Sequence, residues 1–70
     1  MTHINPMASI VHKHMYKSWI QGNPKLALER IEGFCREAEE RGMMLRYFED
    51  EHYVDIVAAY KESDLEKRYA

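Results

Sequence analysis

Between positions 12 and 19 the chain reads His12-Lys13-His14-Met15-Tyr16-Lys17-Ser18-Trp19. This stretch gathers two of its four histidines, two lysines, a tyrosine and its single tryptophan. Three chemistries use such residues. Imidazoles ligate metal ions, lysines among aromatic rings hold phosphates and stack bases, and Trp and Tyr anchor protein interfaces. Backbone conformation decides among them. On a helix, residues two apart point about 200° away from each other, so His12 and His14 cannot grip one ion. On a strand they share a face and could do so. The flanking signals indicate a helix, so neither a metal nor any other cofactor is expected.

Two further groups invite a catalytic reading. Glu49-Asp50-Glu51-His52 sets carboxylates beside an imidazole, the ingredients of acid–base catalysis. A helix N-terminus dressed with acids accounts for the same residues more simply. Cys35 is the only cysteine, lies in a helical pattern and has no triad partners around it, so it reads as a small buried apolar residue. The chain has only three glycines and no glycine-rich phosphate loop, and a large pocket is hard to enclose with 70 residues. The expectation is a protein without enzymatic activity, with no catalytic residues and no small-molecule substrate.

Helix punctuation supplies the framework for these side chains. Asn5-Pro6 and Asn23-Pro24 each combine a favoured N-cap with a proline suited to the first helical position. Gly22 and Gly42 then supply stops. These signals predict helices over about 6–21 and 24–41, forming a helical hairpin. In the second, Ala27, Leu28, Ile31, Phe34, Cys35 and Ala38 fall on one stripe, with acids opposite. Gly33 in its interior invites close approach of a neighbour. Residues 43–48, Met-Met-Leu-Arg-Tyr-Phe, show no helical stripe and suit a short extended segment. With no second strand evident, such a strand would have to pair with its copy in a dimer. A third helix over about 50–68 is expected from Tyr53, Ile56, Val57 and Tyr60 on one face. The Ser63–Glu66 capping box marks a place where it could break. The fold class read from the sequence is therefore all-α: a single domain, 1–70, of three packed helices.

Composition sets the remaining bounds. Hydrophobic residues make up 46% and charged residues 31%, which suits a folded domain. So short a chain buries only about 60% of its unfolded surface, which leaves it marginal without a disulfide, metal or partner. No apolar run reaches the length of a membrane span, and the N-terminus does not read as a signal peptide. The lone cysteine suits a reducing compartment, so a cytoplasmic location and no membrane partner are expected. The net charge of −2 is unevenly spread: Lys13, Lys17 and Lys25 are the only charged Lys, Arg, Asp or Glu residues before position 26, and all 12 acids follow.

On the expected first helix, Met7, Ala8, Val11 and Met15 form a stripe that His12, Tyr16, Trp19 and Ile20 widen to roughly 200°. That arc exceeds what an outer helix of a small bundle normally buries. Met15, Tyr16, Trp19 and Ile20 are accordingly the candidate partner-binding residues. The partner is another protein or a second copy in a homodimer, and the function is that of a small regulator or inhibitor. The alternative is a nucleic-acid-binding regulator using Lys13, Lys17 and Lys25. It is weakened by the acidity of the later helices and by the lack of arginine among the first 25 residues.

Overall fold

The central segment Tyr53-Val-Asp-Ile-Val-Ala-Ala59 is rich in β-branched residues, and its residues from Val54 to Ala59 are all buried. A strand can bury consecutive residues in this way only when both its faces are covered. A computed structural model describes residues 7–66, and there this segment is the middle strand of three. The elements run β1 (Ile10–Tyr16), α1 (Lys17–Gly22), α2 (Pro24–Glu40), β2 (Met44–Glu49) and β3 (Tyr53–Ala59), followed by a 3-10 turn over Glu62–Glu66. The sheet is antiparallel with order β1-β3-β2. His14 sits opposite Asp55 on one side, and Phe48 sits opposite Asp55 on the other.

The fold is thus α+β, which overturns the all-α expectation at two of its three helices. The first expected helix, 6–21, is a strand from Ile10 to Tyr16 that becomes helical only at Lys17. Its Asn5-Pro6 start lies outside the described residues. Ile10, Val11 and Tyr16 favour extended backbone, and pairing with β3 outweighs the capping signal upstream. The third expected helix, 50–68, is strand β3 and a 3-10 turn that contains the Ser63–Glu66 box. Its apparent helical stripe arose because apolar residues occupy both faces of β3, so any period finds matches. Residues 44–49 are a strand, but one that pairs with β3 of its own chain, so no second copy is required.

The second helix appears where the sequence places it, at Pro24–Glu40, with Pro24 in its first turn. Gly42 follows with φ of 77°, the left-handed conformation that ends helices. Asn23 occupies the N-cap position, yet its side chain makes no capping bond to α2. Its amide nitrogen donates instead to the Trp19 carbonyl at 3.1 Å, closing off α1.

Helix α2 covers one sheet face. Phe34, Ala38 and Met43 pack with Ile56 and Ala58 at one end, and Ala27 packs with Met15 and Val54 at the other. Leu28, expected on the buried stripe, is instead 56% exposed. On the opposite face Leu65 of the 3-10 turn covers Val57 and Ala59, flanked by Ile10 and Phe48. Burying side chains such as Val57 and Ile56 contributes about 1.5–3 kcal/mol each, which concentrates the stability of a small chain on β3.

A Cβ added at Gly33 or Gly42 meets nothing within 4 Å, so no neighbour accounts for Gly33. Gly33→Ala is expected to raise stability by up to about 1 kcal/mol through helix propensity. Gly42→Ala is expected to lower it, because alanine resists positive φ. Urea unfolding followed by circular dichroism measures both, and a destabilised Gly33→Ala would contradict the open helix face.

Candidate functional site: a groove along the β1 edge

Strand β1 has β3 on one side and, among the described residues, no strand on the other. A groove of about 210 Å³ lies there, lined by Lys13, His14, Met15, Tyr16, Trp19 and Arg30. Neighbouring strand residues point to opposite sheet faces, so contact with four in succession fits a groove along the strand's outer edge. That edge carries the backbone N–H and C=O groups not used in pairing with β3.

Its far wall comes from the helices. The Arg30 guanidinium stands 5.1 Å from the centroid of the Trp19 ring, in cation–π geometry. Trp19 and Ile20 pack against the Met15, Ala27 and Val54 cluster, which fixes α1. The near wall is aromatic. Tyr16, 59% exposed, meets the His14 ring edge-on at 5.6 Å, and His14 lies 4.3 Å from the Tyr53 ring.

Charge in the groove is positive. Neither Lys13 nor Arg30 has a carboxylate within ion-pair distance among the described residues. Lys17 differs: its Nζ donates to Glu49 Oε2 at 2.6 Å, and its backbone N–H donates to the His52 carbonyl at 2.9 Å. The Lys17 hydrogen bond and charge hold the Glu49 carboxyl below its usual range. Tyr47 donates to the other Glu49 oxygen at 3.3 Å, and burial followed by the Glu49 charge pushes its phenol up.

The candidate residues therefore sort differently from their grouping in sequence. Tyr16 and Trp19 do face the groove. Met15 touches it but is only 7% exposed and belongs to the core, and Ile20 packs inward beside it. Lys13, singled out in the sequence only for the nucleic-acid alternative, shares the groove with them. Lys17 is tied to Glu49, and Lys25, exposed in α2, does not line the groove. Arg30 was missed. Its position among the acids of α2 carries no signal, and only the packing of α2 on α1 brings it to Trp19.

The strand geometry also places His12 and His14 on one sheet face, the condition under which they could share an ion. His12 Nδ1 instead lies 3.1 Å from Asp55 Oδ2. Asp55 is 1% exposed, and its Oδ1 has no hydrogen-bond partner among the described residues. No group of three His, Cys, Asp or Glu side chains there is placed to hold a metal. Glu49, Asp50, Glu51 and His52 form the end of β2 and the exposed turn into β3 rather than a helix start. Cys35 is half-buried among Phe34, Ala38 and Met43, and burial together with Glu39 pushes its thiol up. No described helix is long and apolar enough to cross a membrane.

No protein-family model, curated protein or solved structure matches the chain.

Tyr16→Ala is expected to change stability by less than about 0.5 kcal/mol, as exposed sites do. Trp19→Ala should cost on the order of 2 kcal/mol, because Trp19 is half-buried against the core. Thermal unfolding of the two variants separates groove from core. Because the folded Glu49 carboxyl titrates below its ordinary value, the Lys17–Glu49 contact stabilises the fold above the usual carboxylate range. That contribution disappears as pH falls through the lowered value. In Lys17→Ala the Glu49 carboxyl should return upward, as followed by carboxyl-carbon NMR; an unchanged titration would refute the contact.

Proposed function

We propose that this chain is a non-enzymatic protein-binding module that takes up an extended segment of another protein along the edge of β1. One observation carries the reading: Lys13, His14, Met15 and Tyr16, which alternate between sheet faces, all line the same groove. A segment lying there can hydrogen-bond to the strand edge while its side chains meet Trp19, Tyr16 and Arg30. This is the strand-addition mode of peptide recognition, in which backbone bonds supply affinity and side-chain contacts supply choice. Such a module acts as a regulator or inhibitor by occupying a segment its partner needs elsewhere. The single free cysteine fits a reducing cytoplasm.

Self-association through β1 is the weaker form of this reading. Two-fold antiparallel pairing of β1 with its copy brings Lys13 of both chains onto one seam, and the strand carries no acid. Like charges facing each other across strands are destabilising. The nucleic-acid alternative keeps one observation in its favour, the Arg30–Trp19 stack beside Lys13. Two unpaired cations make a small phosphate footprint, and the rest of the chain is net acidic.

Selecting binders from a library of random ten-residue peptides tests the reading without presuming a sequence. Bound peptides should slow hydrogen exchange at β1 amides, shift the emission of the sole tryptophan, and lose affinity when proline replaces alternate residues. Binders that protect β2 or α2 instead, or that tolerate proline throughout, would reject it.

A further inference from the structure

Resting on the strand-addition reading, we infer that the groove selects an acidic segment: an extended peptide with carboxylates that meet Lys13 and Arg30 and an apolar or aromatic side chain that meets Trp19. Charge placement points to this. Lys13 and Arg30 line the groove from two elements, one on the edge strand and one on the helix wall, and neither is neutralised by a carboxylate of the described chain. The neighbouring cation, Lys17, is neutralised by Glu49, so the positive character narrows to these two groups.

Their surroundings sharpen the effect. Arg30 is held over the Trp19 ring rather than swinging free, so its guanidinium fork is oriented before a ligand arrives. A carboxylate received there forms charge-assisted hydrogen bonds, and the indole face beneath it offers an apolar surface to the next side chain. Strand β1 contributes no negative charge, since its charged and titratable side chains are His12, Lys13, His14 and Tyr16. A basic segment meets repulsion at both cations, and a neutral one leaves both without partners. The same arithmetic explains why a second copy of β1 is a poor occupant.

Three capped eight-residue peptides test this, identical in an alternating Val/Thr and Tyr framework and carrying two Glu, two Gln or two Lys. Binding is read by Trp19 emission, since the peptides contain no tryptophan, and by exchange at β1 amides. The Glu peptide should bind at least tenfold more tightly than the Gln peptide at 50 mM salt, with the Lys peptide weakest. That advantage should shrink to less than threefold in Lys13→Gln with Arg30→Gln, and with 500 mM salt. Both side chains lie at the groove surface, so the double variant should keep the wild-type circular dichroism. If Glu and Gln peptides bind equally and protect β1 equally, acid selection is overturned while strand addition stands. If no peptide protects β1, strand addition itself fails and the inference goes with it. If oligothymidylate shifts Trp19 emission at lower concentration than the Glu peptide, the groove is a nucleic-acid site and the inference is overturned.

Discussion

Every other feature of this chain depends on β3 being covered on both faces and paired on both edges. Val57, Ala58 and Ala59 have no exposed surface, and Val54, Ile56 and Asp55 have almost none. Such a strand cannot exist until β1 and β2 flank it, α2 lies on one face and Leu65 closes part of the other. A chain of 70 residues has few ways to reach that state, and a 14 Å least dimension shows how it does so, with one helical layer on one sheet. The small residues Ala58 and Ala38 belong to the same cluster, where their size lets helix and sheet approach closely.

Placing β3 in the middle leaves β1 and β2 as edges, and the two are treated differently. At β2, Arg46 forms an ion pair with Glu66, and Phe48 packs toward Leu65, so the 3-10 turn covers the face of this strand opposite α2. Among the described residues, the β1 side is lined by side chains: Lys13, His14, Tyr16 and the Trp19–Arg30 wall. Lysine on an edge strand discourages unwanted pairing with like strands. Under the proposed function, the same charge favours a segment of opposite sign along this edge.

The buried Asp55 is the costly element of this arrangement. A carboxylate removed from water needs its oxygens satisfied, and the His12 ring supplies one oxygen only. Pairing the two across β1 and β3 fixes the register of these strands, since a one-residue slip would send His12 to the α2 face and leave Asp55 alone.

Local signals identified some of the fold and misread the rest for a definable reason. Helix α2 was legible because Pro24, Gly42 and the Ala27–Phe34–Ala38 spacing act within one element. The alternation at 43–48 was legible as extended chain, although its partner was not. Strand β1 was misread because Asn5-Pro6 offers a helix start and because His12, His14 and Tyr16 mix polar and apolar types on one face. Strand β3 was misread because burial on both sides erases the alternation that marks a half-buried strand. Tyr16 and Trp19 stood out by type as candidate contact residues and the fold places both at the groove, whereas nothing in the sequence singled out Arg30. What the sequence determined by itself is therefore local: where α2 starts and stops, the confinement of all acids to positions after 26, and the presence of aromatic anchors near Trp19. The tertiary structure alone decided that 10–16 and 53–59 are strands, that they pair across 43 residues of chain at His12 and Asp55, and that Arg30 joins Lys13 beside Trp19. Strand pairing and helix packing are contacts between distant segments, and their free energy is not encoded in either segment separately.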